Sequence, residues 1–360
     1  MRISVVGAYG YTGQLICREL VNAGIPFSIF GRDNDKLQAF KDGIKSVSTA
    51  LSLDMRSAED VQQLIGCSDL IVNCAGPFTD ESQFLVSSAA ENGKIYLDIS
   101  GEIGFVRDSY ERNNSIALKS KALIVHGCAF ESLVVDLMIQ SLQENATGID
   151  SIRSFYWFNQ KRMSPGTRMT MKLSRFRKLL KISNGEWAIG DAIKDQLKVT
   201  SSHSDSKYVA VPYPLPEVAY AKWNIQPKRA ESFLLLSHDE AMFVGIRKNE
   251  DQEALNVLDK IRKIKPNGPS KEELEEQRSI LAIEIKDENG LVFNSVVNAI
   301  NMYQTTAISI RLAIQQLQNS QGKLVGVKSP AKLFVGVEKE TLKALKVSQN
   351  LENPFIIADV

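Results

Sequence analysis

Three observations predict an α/β chain of two domains. Apolar strand-like runs alternate with helical stretches through the first 127 residues. A glycine-rich turn joins the first of those runs to the first helix. Two later apolar runs meet at Asn289-Gly290. Strands linked by short helical crossovers form a parallel sheet covered on both faces, the doubly wound plan, whereas an Asn-Gly tip closes an antiparallel hairpin. The expected architecture is therefore a parallel-sheet Rossmann domain over 1–130 and an α+β domain over 131–360 on a mostly antiparallel sheet. The C-terminal helices have the option of packing back on the first domain.

The first-domain strands read as Ile3–Val6, Phe27–Phe30, Ser46–Leu51, Leu70–Cys74, Ile95–Ile99 and Leu123–His126. Between them lie helical stretches such as Lys36–Phe40, Ala58–Ile65, Ser82–Asn92 and Arg107–Leu118. Past residue 128 the pattern changes to a helix over Glu131–Gln143, an alternating strand over Ile149–Phe158 and a basic, partly helical run over Lys161–Ile182. Residues 183–229 read as irregular around Pro212, Pro214 and Pro216. The hairpin Ser279–Lys286 and Leu291–Ile300 follows, then a helix, Tyr303–Gln318, whose Ile308, Leu312, Ile314 and Leu317 can face a core.

Bulk properties narrow the function. The 360 residues carry a formal net charge of +1, which argues against nucleic-acid binding driven by overall charge. Cys17, Cys67, Cys74 and Cys128 form no C-x-x-C pair, and His126, His203 and His238 lie far apart, so neither a metal site nor a disulfide framework is expected. The first strand begins at residue 2 or 3, leaving no room for a cleaved signal peptide, and no apolar run approaches the roughly 18 residues that span a bilayer. The expected location is the cytoplasm.

The turn Gly7-Ala8-Tyr9-Gly10-Tyr11-Thr12-Gly13 sits between a strand and a helix, where backbone N–H groups and the helix N-terminus can hold a pyrophosphate. At the end of the second strand, Arg32 offers a guanidinium to a ribose 2′-phosphate, and Asp33 either holds a ribose hydroxyl or caps the next helix. The order of the two favours NADP over NAD. Asp54, ending the third strand, meets the adenine or serves the helix start near Ser57. The fourth strand breaks into Cys74-Ala75-Gly76-Pro77, where Gly76 admits a ribose and Pro77 stiffens the turn. The fifth runs into Ser100-Gly101-Glu102, whose hydroxyl and carboxylate either contact substrate or cap the following helix. Ser100, Glu102, Glu131 and Tyr303 are candidates near the nicotinamide, but sequence alone assigns no catalytic residue.

These stretches resemble the saccharopine dehydrogenase-like oxidoreductases, which include the trans-acting enoyl reductases. That family pairs Gly-Ala-Thr-Gly-Phe-Thr-Gly with Val-Leu-Asn-Cys-Val-Gly-Pro-Tyr, Tyr-Val-Asp-Leu-Ser-Gly-Glu and Gly-Phe-Asp-Ser-Val-Pro-Ser-Asp. The matching stretches are Gly7–Gly13, Ile71–Phe78, Tyr96–Glu102 and Ala129–Asp136, with Tyr9, Ala129 and Val134 as departures. The resemblance is thin past residue 137. It implies an NADP-dependent oxidoreductase acting on a hydrophobic enoyl or acyl substrate, or else an opine- or saccharopine-type enzyme reducing C–N bonds. A non-catalytic NADP-binding sensor or membrane-associated scaffold is the reading from another class. The run Lys161–Ile182 has eight basic residues and no acidic one, and suits peripheral membrane contact, a phosphate-bearing carrier of the small-molecule substrate, a homodimer contact or a solvated face.

Overall fold

A computed structural model describes residues 1–44, 46–159, 162–174, 178–201, 207–241, 268–319, 324–350 and 355–358. The chain divides into two compact units. The first holds Met1–Asp136 together with Met302–Leu345, and the second holds Leu137–Asn301 with Lys346–Val360. The boundary thus falls six residues beyond the expected 130, and a C-terminal stretch returns to the first unit.

In the first unit, β1 (Ile3–Val6), β2 (Phe27–Gly31), β3 (Val47–Ser52), β4 (Leu70–Asn73), β5 (Ile95–Asp98) and β6 (Leu123–Val125) alternate with α1 (Tyr11–Asn22), α2 (Asn34–Asp42), α3 (Ala58–Cys67), α4 (Gln83–Glu91) and α5 (Ile103–Ser120). All pair in parallel, in the order β6-β5-β4-β1-β2-β3. Val5, Val6, Ile71, Val72 and Leu97 are buried, as central strands covered on both faces require. Asp33 caps α2 by accepting from the Lys36 N–H, and Ser57 caps α3 by accepting from Asp60.

A seventh strand extends this sheet. Gly326–Lys328 lies parallel to β6, in a segment with no strand signal of its own. It is held there because Gly326 has φ +87°, and the Asn114 side chain of α5 accepts the Val327 N–H at 2.9 Å. The helix α10 (Met302–Asn319) packs on α1, where Arg311 Nε and Gln304 Nε2 both donate to Glu19, at 2.9 and 2.7 Å. Its buried face carries Ile308, Ile310, Ile314 and Leu317. Leu312, expected on that face, is half-buried because Ile310 and Ala313 turn inward instead.

The second unit is a mixed sheet with one parallel pair. Its main path runs from Ser348–Asn350 through β14 (Val292–Ala299), β13 (Ser279–Lys286), β7 (Ser151–Phe158), β12 (Arg229–Ser237), β11 (Lys207–Pro212) and β10 (Leu197–Ser201) to Phe355–Ala358. Only β12 and β7 run parallel among the described pairs. The hairpin of β13 and β14 forms around Gly290 (φ +84°), and Asp287 Oδ1 accepts the N–H groups of Asn289 and Leu291. The stretch expected to be irregular contains β9 (Glu186–Ile189), β10, β11 and the helix α8 (Pro216–Asn224), with β8 (Leu180–Ser183) ending at its start and β12 beginning at its end. Proline concealed them: Pro212 ends β11, and Pro216 occupies the first turn of α8, both positions that tolerate the missing N–H.

The basic run is partly helical, as its sequence suggests. Helix α7 spans Pro165–Ser174, with Ser164 accepting the Thr167 N–H at its start, while Leu180 belongs to β8. Lys161, Arg175, Phe176 and Arg177 lie outside the described residues. Arg162 pairs with Glu273 at 2.6 Å, and Lys181 pairs with Asp195 at 2.8 Å and Glu231 at 3.1 Å, so part of the run's charge is neutralised by carboxylates distant in sequence.

Candidate functional site: a dinucleotide crevice at the carboxyl ends of the parallel strands

The strand order reverses between β1 and β4, and in open parallel sheets ligands bind outside the carboxyl ends of the strands at such a switch. The glycine turn stands there. Gly7 has φ +77°, and a side chain on it would press on the backbone of Ala75 at 2.9 Å. A Cβ on Gly13 would overlap the Gly7 carbonyl oxygen, so this glycine lets α1 start tight against β1. Gly10 is different. It is exposed, with an ordinary φ of −67°, and precedes the first turn of α1, where free N–H groups favour an anion. Tyr11 and Thr12 begin that turn, and Tyr11 meets Tyr303 of α10 edge-on at 5.0 Å.

On the β2–β3 side lies a cavity of about 610 Å³ lined by Tyr9, Arg32, Asp33, Lys36, Asp54 and Arg56, among others. The Tyr9 ring covers Gly31, where any side chain would overlap it, and the Tyr9 hydroxyl accepts the Asp33 N–H at 3.2 Å. The phosphate-turn departure at Tyr9 therefore forms one wall of this cavity. Arg32 and Arg56 are both exposed here. Hydrogen bonds from the Arg56 guanidinium and from its N–H hold the Asp54 carboxyl down at about 2, so Asp54 orients a cation. Asp33 serves as the α2 cap and pairs with Lys36 at 3.0 Å. Three cations around one open cavity fit a 2′-phosphate, which accepts charge-assisted bonds from forked guanidinium groups. Lys36 and Arg56 escaped sequence reasoning. The Asp54-Met55-Arg56 spacing at a strand end was the available signal.

On the β4–β5–β6 side, Ala75 and Gly76 are exposed, while Cys74 and Pro77 are half-buried behind them. The Gly76-Pro77 peptide is cis. Asn73 Oδ1 accepts the Ala75 N–H at 3.0 Å and thereby fixes the turn. Burial pushes the Cys74 thiol well up, so it acts as an apolar wall here, not as a thiolate. Ser100 is fully buried and donates to Asp98 at 2.7 Å, which turns its hydroxyl inward. Glu102 precedes α5, and its two oxygens accept from Phe78 N–H at 3.4 Å and Gly101 N–H at 3.0 Å.

Beneath this edge lies a buried network that the sequence did not announce. Asp98 Oδ2 meets His126 Nδ1 at 2.7 Å, and His126 Nε2 meets the Ser109 hydroxyl at 2.7 Å. Asp98 Oδ1 also accepts the Gly127 N–H at 2.9 Å. Burial pushes the Asp98 carboxyl up, but His126, the Gly127 N–H and Ser100 outweigh it and hold the group below its ordinary value. Because β5 and β6 pair with Leu97 opposite Val125, the next residues, Asp98 and His126, emerge side by side. The network ties together the segments leaving both strands.

Residues 3–141 match the family model of the saccharopine dehydrogenase NADP binding domain. The match falls almost wholly within the first unit. Its cofactor is NADP, and the Arg32–Lys36–Arg56 cavity fits the added phosphate. The chain is 30% identical over 149 residues to a putative trans-acting enoyl reductase of Mycobacterium tuberculosis, covering 40% of this chain and 36% of that protein. It is 28% identical over 165 residues to a lipid droplet localized protein of Caenorhabditis elegans, covering 42% and 39%. A saccharopine dehydrogenase-like oxidoreductase of Mus musculus shares 25% over 173 residues, covering 43% and 40%. These matches span roughly two fifths of each relative. The fold resembles apo saccharopine dehydrogenase (L-Glu forming) from Saccharomyces cerevisiae with a TM-score of 0.64 at 12% identity, over 99% of this chain and 100% of that one. That likeness is one of fold. No helix among the described residues is long and apolar enough to cross a membrane.

Proposed function

We propose that the protein is an NADPH-dependent reductase of a hydrophobic enoyl or acyl-type substrate, working in the cytoplasm. The observation that carries the cofactor half is the cavity where Arg32, Lys36 and Arg56 converge beside the glycine turn. Bound NADPH would supply a hydride. The chain's own residues do the rest: the α1 N-terminus and Gly10 receive the pyrophosphate, the three cations hold the 2′-phosphate, and the open Ala75-Gly76 turn receives the nicotinamide ribose. Beyond the carboxyl ends of β4 and β5, the Phe78 and Phe105 rings meet at 5.5 Å. An apolar ring pair beside the crevice suits a neutral acyl group, which supports the enoyl reading over an α-amino acid. The enoyl reductase name borne by a 30%-identical relative points the same way. C–N reduction is the second reading. The acid-free composition of Lys161–Ile182 supports presentation on a phosphate-bearing carrier.

The test pairs cofactor titration with turnover. NADPH should bind more tightly than NADH, and NADPH oxidation should be driven by a trans-2-enoyl thioester of coenzyme A. Oxidation driven only by an oxo acid plus an amine would replace the enoyl reading with the C–N one. Binding without either reaction would leave a cofactor-binding sensor.

A further inference from the structure

Tyr9 stands where the resembling family carries a threonine, and its surroundings give the larger side chain a task. The turn pins its backbone. The Gly7 N–H donates to the Phe30 carbonyl at 2.8 Å, the Gly10 N–H to the Gly7 carbonyl at 3.0 Å, and Gln14 Nε2 to the Tyr9 carbonyl at 2.9 Å. The ring then lies across the end of β2. A Cβ on Gly31 would stand 2.4 Å from Tyr9 Cε1, so the ring fills the space that a side chain at Gly31 would need.

Tyr9 lines the same cavity as Arg32, Lys36 and Arg56. Its hydroxyl accepts the Asp33 N–H at 3.2 Å, which engages one oxygen lone pair and leaves the O–H proton to be donated. Among the described residues that proton meets no acceptor. The three cations of the cavity cannot take it. Its carboxylates are already engaged: Asp33 by the Lys36 N–H at 3.1 Å and Lys36 Nζ at 3.0 Å, Asp54 by Arg56 at 2.6 Å, and Asp60 by the Asp54 N–H at 2.7 Å. The Ser52 hydroxyl donates to the Arg32 carbonyl at 3.0 Å. An O–H donor beside three cations is complementary to a phosphate monoester, which brings negative charge and several acceptor oxygens.

We propose that Tyr9 is a specificity-determining residue for NADP, its hydroxyl donating to the 2′-phosphate while it accepts the Asp33 N–H. The inference deepens the assignment of the cation cavity to that phosphate and rests on it. A hydroxyl that accepts from one donor is polarised toward giving its own proton. Bonding to a charged phosphate oxygen is about twice as strong as bonding to a neutral ribose hydroxyl, so the phenol favours NADPH over NADH. Unlike the cations, it contributes direction without charge.

The experiment is calorimetric titration of the full chain with NADPH, NADH, adenosine 2′,5′-bisphosphate and adenosine 5′-monophosphate. Tyr9→Phe keeps the ring over Gly31 and removes only the hydroxyl. It should weaken NADPH and the bisphosphate by about 10–100-fold. NADH and the monophosphate should stay within about threefold of the parent. The salt dependence of NADPH binding should match the parent's, because no charge is lost, whereas Arg32→Ala should flatten it. Gly31→Ala retains the hydroxyl but displaces the ring, and its φ lies outside the left-handed region. It should show the same selective loss, and adding Tyr9→Phe to it should cost nothing more. Thermal midpoints report folding of each variant, and Gly31→Ala carries the test alone if Tyr9→Phe does not fold. NADPH affinity equal to the parent's in Tyr9→Phe overturns the inference, as do equal losses for both cofactors, which would make the ring a packing wall. If Arg32→Ala abolishes the preference for NADPH and Tyr9→Phe retains it, the cation cavity stands and the role of the phenol falls. A parent that binds the bisphosphate and the monophosphate equally overturns the cavity assignment itself, and the inference with it.

Discussion

At the scale of single residues, the dinucleotide turn separates two kinds of glycine. Gly13 is required by packing, since a Cβ there would overlap the Gly7 carbonyl; Gly13→Ala should destabilise the chain, seen as a lower thermal midpoint. Gly10 is exposed with an ordinary φ, and a Cβ there would sit 3.1 Å from the Gly7 carbonyl oxygen, so Gly10→Val should fold with a lowered thermal midpoint. Its branched side chain would occupy the phosphate position, and NADPH binding should be lost in a fluorescence titration. Retained affinity in a folded Gly10→Val would place the nucleotide elsewhere. The cation cavity yields a selective counterpart. Arg32→Ala should weaken NADPH by about 1.5–3 kcal/mol, the usual worth of a hydrogen bond to a charged group, and leave NADH nearly unaffected. An equal loss for both cofactors would mean that Arg32 does not touch the 2′-phosphate.

At the scale of elements, α6 (Phe130–Gln143) and the 3₁₀ turn Pro330–Phe334 are joined by one buried carboxyl. Asp136 accepts the Ala331 N–H at 2.8 Å, and burial pushes it up to about 6 even though Ala331, Ser329 and Lys332 pull it down. A carboxyl less acidic when folded binds more protons in the native state than in the unfolded chain between roughly pH 4 and 6. Stability should therefore fall as pH rises through that window, with the full penalty, on the order of 2–3 kcal/mol, present above it. Asp136→Asn retains an acceptor for Ala331 without the buried charge. Denaturant melts should show the variant at least as stable as the parent at pH 8 and flatter between pH 4 and 7. A variant markedly weaker at pH 8 would show that the charge itself holds the turn.

At the scale of the molecule, the NADP-binding unit and the unit carrying the basic run are separate compact bodies. Reversing Lys172, Arg175 and Lys178 to glutamate should thus leave NADPH affinity unchanged. The same variant should bind immobilised coenzyme A more weakly, and the parent's binding should fall with added salt, because attraction between charges in solution is screened over about 10 Å at 0.1 M ionic strength. Binding equal to that of the parent would remove the carrier from the proposal. Arg162 and Lys181 are left out of this test because they are already paired with carboxylates.

What the sequence determined by itself is local or repeated. Apolar strands, crossover helices and the glycine turn specify the doubly wound sheet, since each is a short-range preference that tertiary packing reinforces. Cofactor class was legible in Arg32 for the same reason: its place follows from a strand end. Lys36 and Arg56 were not, because converging on one cavity is a property of β2 and β3 lying side by side. The Asp98–His126 pair joins residues about 30 apart, and the parallel register of β5 and β6 brings them together. The strand Gly326–Lys328 and the strands around Pro212 carry little signal of their own. Backbone hydrogen bonds to neighbouring strands decide their conformation, and those neighbours exist only in the folded chain.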